Sequence, residues 1–292
     1  MKVSLIINPV SGNSSSGLVK NIKNLIERNT PSPEVIITEK KGDASAFSRE
    51  LSGTDLIIVA GGDGTLNEVI NGVLSRQKFE QAGKTASLAL IPLGTTNVMA
   101  KELGIPEEAE KAVHLAFNGT PKKISLGRIN GHFFSLMVGI GFDGEAVFRA
   151  KNNIKKILGR GAYIYSGINA LINYNPHLIE VKTSRGVFTG YNAVIGNAHY
   201  YGGYFQVTPR ANLTEPLLDL CLYNGDTRRD LIMFISGVLR KKHLGFKDVI
   251  YGKFSELEMT SKGIVHVQAD GDYFGILPAK IESVKDAISL IC

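Results

Sequence analysis

Apolar β-branched runs alternate with helical patterns along the first part of the chain. Four runs predict buried parallel strands: Val3–Ile7, Val35–Thr38, Leu56–Ala60 and Leu88–Ile91. Helical spacing of apolar residues predicts helices over Leu18–Arg28, Ala44–Leu51, from Thr65 onward, Asn97–Leu103 and Glu107–Phe117. This alternation predicts a doubly wound α/β domain with a mostly parallel sheet over residues 1–122.

After about residue 122, strand-like runs lie closer together and turn signals separate them. Asn130-Gly131 and Asp270-Gly271 are two such signals, each typical of a tight hairpin. Helical patterns interrupt these strands near Ala162–Leu171 and Asp230–Leu239. We therefore predict a second domain over residues 123–292, a mostly antiparallel β-sandwich, and leave open whether Pro278–Cys292 returns to the first domain.

Composition and charge narrow the classes of partner. The 292 residues suit two domains, and Lys and Arg outnumber Asp and Glu by 33 to 27, a net charge of +6. A mild basic excess favours nucleotides, nucleic acid or an anionic membrane surface. With two cysteines, no apolar run of spanning length and no signal-peptide core, the sequence predicts a cytoplasmic protein.

A glycine-rich segment, Gly61–Thr65, lies where the third predicted strand gives way to a helix. Thr65 and Glu68 have the spacing of a capping box, which predicts a helix N-terminus suited to phosphate. Asp63 would repel that phosphate unless a cation lay between them. Mg²⁺ held by one carboxylate and by substrate phosphates meets this need, so Asp63 predicts a metal-bound nucleoside triphosphate.

Two further loops have the same placement at the ends of predicted strands. Asn8, Pro9, Ser11 and Gly12 follow the first strand, and Gly94, Thr95, Thr96 and Asn97 follow the fourth. Their hydroxyl and amide groups suit phosphate or ribose oxygens. Three such loops at neighbouring strand ends predict a nucleotide site more firmly than one loop does.

These loops resemble those of the diacylglycerol kinase catalytic domain family, which includes bacterial lipid kinases and sphingosine kinases. The matching segments are Asn8–Gly12, Gly61–Thr65 and Pro92–Asn97, in the family's order and spacing, and further matches run through the second domain. The resemblance implies an NAD kinase- and phosphofructokinase-like first domain that binds ATP. It also implies phosphorylation of a lipid hydroxyl in the interdomain cleft.

The resemblance implies a role for each matching residue. The implied nucleotide contacts are Asn8, Pro9, Ser11, Gly12, Thr38, Gly61, Gly62, Asp63, Gly64, Thr65, Asn67, Glu68, Gly94 and Thr95. The family's catalytic base comes from an Asp-Gly-Glu triplet, which here reads Asp270-Gly271-Asp272. Asp272 or Asp270 would accept the hydroxyl proton, whereas an ordinary hairpin turn is the alternative for both.

Three departures from the family pattern bear on activity. Val98 and Ser125 stand where the family often has aspartates of its metal-linked network. The family's structural-metal loop, Asp-Gly-Leu, here reads Glu215-Pro216-Leu217, so metal binding by Glu215 and by the Leu217 backbone is doubtful. A catalytically silent nucleotide- or lipid-binding regulator is therefore one alternative, and an NAD kinase-like enzyme is another.

Other patterns concern a turn, two basic segments and the expected partners. The string Gly139–Gly144 matches a dinucleotide fingerprint, but it lies among hairpins, and we interpret it as a structural turn. The basic segments Arg149–Gly161 and Arg240–Lys247 suit either solvent or an anionic bilayer. We expect a lipid substrate, peripheral contact with the inner face of the membrane and no nucleic acid, and leave a homodimer open.

Overall fold

Four parallel strands in the N-terminal part of the chain end side by side at one edge of their sheet. The computed structural model describes residues 1–77, 86–153, 167 and 169–292. The strands are β1 (Val3–Ile7), β2 (Glu34–Ile37), β3 (Leu56–Gly61) and β4 (Ser87–Pro92), in the order β2-β1-β3-β4. Ile7 is in register with Ile37 and with Ala60, and Gly61 with Pro92. The segments that follow these strands therefore leave the sheet at neighbouring points.

Helices connect these strands and cover the sheet. They are α1 (Ser16–Asn29), α2 (Asp43–Glu50), α3 (Asp63–Gln77), α4 (Val98–Leu103) and α5 (Ala109–Asn118). Ile22 and Ile26 of α1 and Val113 of α5 pack with strand residues such as Leu5 and Ile58 in one buried core. Burial of these apolar faces is the main stabilising term of the unit, and the predicted doubly wound fold is confirmed.

The start of α3 differs from the predicted one. The helix begins at Asp63, and its first hydrogen bond joins the N–H of Leu66 to the carbonyl of Gly62. Thr65 therefore lies inside the first turn, and the predicted capping box is wrong. The Glu68 carboxylate accepts the N–H of Gly42 instead, at 3.0 Å, where α2 begins.

The chain forms two compact units. The first comprises Met1–Leu126 and Lys285–Cys292, and the second Gly127–Val284, whereas the sequence suggested a division after residue 122. Two strands, β5 (Pro121–Ile129) and β16 (Ala279–Ile291), contribute residues to both. In the first unit, Leu290 pairs in parallel with Leu88, and Cys292 exchanges two backbone hydrogen bonds with Thr120.

The second unit is an antiparallel β-sandwich, as predicted. Its further strands are β6 (His132–Phe134), β7 (Met137–Ile140), β8 (Ile179–Thr183), β9 (Gly186–Gly190), β10 (Asn192–Gly196), β11 (Leu218–Tyr223), β12 (Val249–Phe254), β13 (Glu256–Ser261), β14 (His266–Ala269) and β15 (Asp272–Ile276). One layer has the order β12-β11-β10-β7-β14-β15, and the other contains β13, β8, β9 and the first part of β16. Leu220 and Ile140 of the first layer share a buried core with Met259 and Ile281 of the second.

Helices of the second unit agree only partly with the sequence patterns. Helix α7 (Arg228–Leu239) confirms the helix predicted from Asp230, and Thr227 and Asp230 form its capping box. Helix α6 (Phe142–Asn153) was not predicted. The helix predicted over Ala162–Leu171 falls mostly outside the described residues. Of the helices that are described, none combines the length and apolar character needed to cross a bilayer.

Candidate functional site

Side-chain amides join the three predicted loops at the carboxyl edge of the parallel sheet. Asn8 Nδ2 donates to the Thr65 hydroxyl at 3.0 Å, which ties the first loop to the start of α3. Asn13 donates its backbone N–H to Leu93 O at 2.9 Å and its side-chain amide to Gly94 O at 3.1 Å. The structure therefore brings together the three loops that the sequence singled out separately.

Close backbone contact explains two of the glycines. A Cβ atom built on Gly94 would lie 2.7 Å from the Cα of Gly62, and one built on Gly62 would lie 3.1 Å from the Cα of Gly94. Any side chain at Gly94 would push the second and third loops apart. Gly64 differs, since outside its neighbouring residues and the nearby backbone of α3 no atom of the protein lies within 4 Å of a Cβ built there.

Backbone N–H groups at the start of α3 make this edge suitable for an anion. Helix geometry leaves the N–H groups of Asp63, Gly64 and Thr65 without an acceptor inside α3, because the first intrahelical bond begins at Leu66. The positive end of the helix dipole adds to their attraction for negative charge. Gly64 is exposed at this point, so an anion can approach.

Asp63 holds the start of the neighbouring helix α4. Its Oδ2 atom accepts the N–H of Val98 at 2.9 Å, and its Oδ1 atom accepts the N–H of Met99 at 2.9 Å. The Thr96 hydroxyl approaches Oδ2 at 3.4 Å. A carboxylate has about four lone-pair sites, so these three donors leave room for one further partner on Oδ1. The Asp63 carboxylate among the glycines therefore already stabilises the start of α4. Binding Mg²⁺ would be a second role for the same carboxylate.

Other predicted nucleotide contacts also have partners within the protein. Thr38 is buried at the end of β2, where its hydroxyl donates to Ile7 O at 3.3 Å. The Asn67 side chain accepts the amide of Asn71 at 2.9 Å, and Glu68 binds Gly42 as described above. Thr95 is exposed beside Gly94. Their roles toward a nucleotide stay predictions.

The residues at which the sequence departs from the family pattern are buried. The Val98 side chain is 3% exposed, while its N–H is the donor to Asp63. Ser125 is fully buried, and its Oγ accepts the N–H of Asp286 at 3.3 Å. Both residues therefore contribute to packing or hydrogen bonding within the first unit.

In the second unit, Asp270 anchors the segment before β7. Its Oδ2 accepts the N–H and the hydroxyl of Ser135 at 2.7 and 3.0 Å, and its Oδ1 accepts the N–H groups of Leu136 and Met137, both at 2.9 Å. Burial raises the pKa of Asp270, and these hydrogen bonds oppose that rise. These four donors fill the lone-pair sites of the carboxylate.

Asp272 is in a different environment from Asp270, although only Gly271 separates them. It is the first residue of β15, and its side chain is exposed. Asp270 itself has a positive φ of 48°, which turns the chain sharply at this point. The hairpin thus buries the acceptor atoms of Asp270 and presents Asp272 to solvent.

A residue that sequence analysis overlooked supports this hairpin. Asp143, in the first turn of α6, accepts the Tyr201 hydroxyl and the side-chain amide of Gln268, the latter at 2.6 Å. Gln268 in turn accepts the N–H of Gly271 at 2.8 Å. Burial raises the pKa of Asp143. The helical spacing after Phe142 could have revealed α6.

The string Gly139–Gly144 thus joins strand β7 to helix α6. Its last glycine lies against β14, where a Cβ on Gly144 would meet the carbonyl oxygen of His266 at 2.2 Å. The string has the strand-turn-helix form of a dinucleotide fingerprint. Its aspartate, however, already accepts hydrogen bonds from Tyr201 and Gln268. The interpretation as a structural turn fits this arrangement, with the addition of the helix.

A lysine lies at the segment that resembles a structural-metal loop. The Lys253 ammonium donates to the Glu215 carboxylate, and the neighbouring Asp219 accepts the Tyr251 hydroxyl at 2.7 Å. Burial raises the pKa of Asp219. The Glu215 carboxylate is therefore already paired with the positive charge of Lys253. Metal binding by Glu215 and Leu217 stays a prediction, and this arrangement does not favour it.

Comparison with known protein families covers nearly the whole chain. Residues 2–129 match the diacylglycerol kinase catalytic domain, and residues 136–292 match the YegS C-terminal NAD kinase beta sandwich-like domain. The diacylglycerol kinase of Bacillus subtilis is 30% identical over 257 residues, which cover 86% of this chain and 82% of the relative. That of Staphylococcus carnosus is 27% identical over 98% of this chain and 93% of its own length.

Solved structures show the same fold. A crystal structure of a diacylglycerol kinase from Bacillus anthracis superposes with a TM-score of 0.74 at 22% identity, over 99% of this chain and 96% of that one. Another structure from the same organism has a TM-score of 0.82 at 25% identity, with the same coverage. By its family match and its relatives, the chain belongs to the diacylglycerol kinase family, a family of ATP-using lipid kinases.

Proposed function

We propose that this lipid kinase transfers the γ-phosphate of ATP to the hydroxyl of diacylglycerol or a closely related lipid. The observation that carries the proposal is the meeting of three loops, Asn8–Gly12, Gly61–Thr65 and Pro92–Asn97, at the start of α3. The curated relatives are named for diacylglycerol, which is the substrate that we carry over as a proposal.

The phosphates would bind at the N-terminus of α3. The N–H groups of Asp63, Gly64 and Thr65 would donate to them, and the open space at Gly64 supports a close approach. Phosphoryl transfer depends on positioning and on stabilisation of charge, both of which fixed backbone donors provide without rearrangement. Rigid hydrogen bonds from Asn8 and Asn13 would keep these donors in place.

Mg²⁺ fits this part of the proposal. Asp63 keeps one lone-pair site on Oδ1, and magnesium is commonly held by one or two carboxylates together with substrate phosphates and water. When bound, the ion would neutralise charge on the phosphates. The described residues contain no group of three or more His, Cys, Asp or Glu that could hold a metal, so substrate and water would supply its other ligands.

Asp272 is the base that we retain for the reaction. Its exposure supports this role, whereas the acceptor sites of Asp270 are used by the 135–137 segment. Asp272 would take the proton from the lipid hydroxyl as the hydroxyl oxygen forms its bond to the γ-phosphorus. The bond from that phosphorus to the β-phosphate oxygen breaks, and ADP leaves. The proton then passes from Asp272 to solvent.

We place the protein in the cytoplasm, in peripheral contact with the inner face of the membrane, because both a lipid substrate and ATP are within reach there. The net charge of +6 supports contact with an anionic surface. A homodimer stays a prediction, and we propose no nucleic-acid partner.

The catalytically silent regulator is the second candidate function, because Val98 and Ser125 replace aspartates of the family pattern and Asp63 has a structural role.

One assay tests the proposal against this second candidate. Purified protein is incubated with γ-labelled ATP, Mg²⁺ and separate samples of diacylglycerol, monoacylglycerol, sphingoid base and phosphatidylglycerol, with a chelator in matched reactions. We expect label in diacylglycerol, and no label with the chelator. ATP binding without label in any lipid would instead support the regulator, and label in a different lipid would correct the substrate.

A further inference from the structure

Helix α7 carries apolar side chains on the face that it turns away from the sandwich. Leu231, Phe234 and Val238 are buried and pack inward. On the opposite side, Ile232 is 51% exposed, Met233 52% and Leu239 59%. Ile232, Ile235 and Leu239 follow one another at helical spacing, so they form a single stripe. A helix of twelve residues that is apolar on both faces has an unusual outer surface for a protein in water.

Cations border this apolar stripe at both ends. Arg228 and Arg229 are exposed at the N-terminus of α7, and Arg240, Lys241 and Lys242 are exposed directly after its C-terminus. The acids close by are Asp226, Asp230 and Asp248, of which Asp230 is bound in the capping box with Thr227. The segment 226–248 thus has six Lys and Arg residues, including Lys247, against three Asp.

From this pairing we infer that the outer face of α7 is a docking surface for an anionic lipid bilayer. Apolar side chains on a helix face, with Lys and Arg beside them, are the pattern of helices that lie in the membrane interface. The apolar stripe would enter the boundary between headgroups and acyl chains, while the bordering cations would meet lipid phosphates. The inference rests on the proposed function in one respect only, because a lipid substrate is the reason for this protein to bind a membrane.

Charge favours this occupant over a second copy of the chain. Two copies meeting through α7 would bring five or more cations of each into one contact, at a cost from like-charge repulsion. An anionic bilayer neutralises those cations and buries the stripe at the same time. An antiparallel pair of α7 helices is the alternative that light scattering would detect.

Vesicle binding tests the inference directly. The full chain is sedimented with vesicles of phosphatidylcholine alone, and with vesicles of about two parts phosphatidylcholine to one part phosphatidylglycerol. We expect binding to the second kind only, weakened by salt because exposed charges are screened. The apolar variant Ile232→Glu/Leu239→Glu should bind at least about 10-fold more weakly. Replacing Arg229, Arg240 and Lys242 by Gln should weaken binding on the order of 100-fold.

Matched controls come from the rest of the surface. Ile264 is 66% exposed in the second unit, so Ile264→Glu adds a charge to an exposed apolar site away from α7. Replacing the exposed residues Lys122, Lys123 and Lys262 by Gln removes the same charge as the triple α7 variant. Both controls should bind within about twofold of wild type. Equal losses in control and α7 variants would overturn the inference, as would wild-type protein that ignores anionic vesicles.

Kinase assays separate this inference from the proposed function. With a short-chain diacylglycerol in detergent micelles, the α7 variants should turn over as wild type does, whereas activity on anionic vesicles should fall. If no lipid is phosphorylated but binding still depends on α7, the docking surface stands and the kinase proposal fails. If light scattering shows a dimer that Ile232→Glu/Leu239→Glu dissociates while vesicle binding is unchanged, the face is a homodimer interface and the inference fails.

Discussion

Two glycine turns with aspartates, Gly61–Thr65 in the first unit and Asp270-Gly271 in the second, look alike in sequence and differ in how their acids are used. Asp63 and Asp270 each accept the N–H groups of two consecutive residues in a neighbouring segment, Val98 and Met99 in one case and Leu136 and Met137 in the other. Each carboxylate thereby fixes the start of another element. The difference lies in the acceptor sites that remain.

Asp63 keeps one acceptor site, whereas Asp270 uses all four. Two further donors from Ser135 complete the set on Asp270, while Asp63 has only a 3.4 Å approach from Thr96. In the second unit, the proposed base is a different residue, Asp272, which is exposed two residues further on. In the first unit, the anchoring acid and the proposed metal ligand are the same residue. In the second unit, substitutions should therefore affect catalysis and stability separately, at Asp272 and at Asp270. In the first unit, one substitution at Asp63 should affect both.

The largest effect is expected from Asp272→Asn. Loss of the proposed base should lower kcat on diacylglycerol by about 10²- to 10⁴-fold, because an amide cannot take the hydroxyl proton. The free energy of unfolding should change by less than about 0.5 kcal/mol, since the side chain is exposed. Asp248→Asn, at another exposed acid of the same unit, is the control for both measurements. Near wild-type kcat would remove Asp272 from the mechanism.

Asp270→Asn should act on stability instead. The amide group would face two of the four donors, and each buried donor without an acceptor costs about 1–3 kcal/mol, so we expect a loss of about 2–6 kcal/mol. Urea unfolding measures this loss, with Asp272→Asn as the comparison from the same hairpin. A loss under about 1 kcal/mol would mean that Asp270 is not the anchor of residues 135–137.

Asp63→Asn should show both kinds of effect in one variant. The remaining oxygen can serve one of the two α4 donors, so we expect a loss of about 1–2 kcal/mol in the free energy of unfolding. The Mg²⁺ concentration for half-maximal activity should also rise by at least about 10-fold. A stability change with unaltered Mg²⁺ dependence would limit Asp63 to anchoring α4.

The smallest effect on the fold is expected from Gly64→Ala. The new methyl group meets no atom outside the adjacent residues and backbone of α3, and alanine favours the helix, so stability should stay equal or rise by up to about 1 kcal/mol. The KM for ATP should nevertheless rise on the order of 10-fold, because the methyl group would stand where phosphate approaches. Gly17→Ala in α1, where a Cβ likewise meets nothing outside its own stretch of helix, is the control. An unchanged KM would place the phosphates elsewhere.

The sequence predicted the strands and helices of the fold better than it predicted the hydrogen bonds of the candidate site. Apolar periodicity identified the strands that carry the three loops, and the turn at Asp270-Gly271 was visible as a hairpin signal. It could not show that Val98 and Met99 donate to Asp63, or that Lys253 meets Glu215, since these contacts depend on tertiary placement. The capping box was wrong for the same reason, because Glu68 binds Gly42 of another element.

A crystal structure with Mg²⁺ and a nonhydrolysable ATP analogue tests the central claim most directly, which is that the first unit binds the metal-bound triphosphate at the start of α3. We predict phosphate oxygens within hydrogen-bonding distance of the N–H groups of residues 63–65, with Mg²⁺ bound to Asp63 directly or through water. Triphosphate far from residues 61–65, or seated there with no metal near Asp63, would contradict the account.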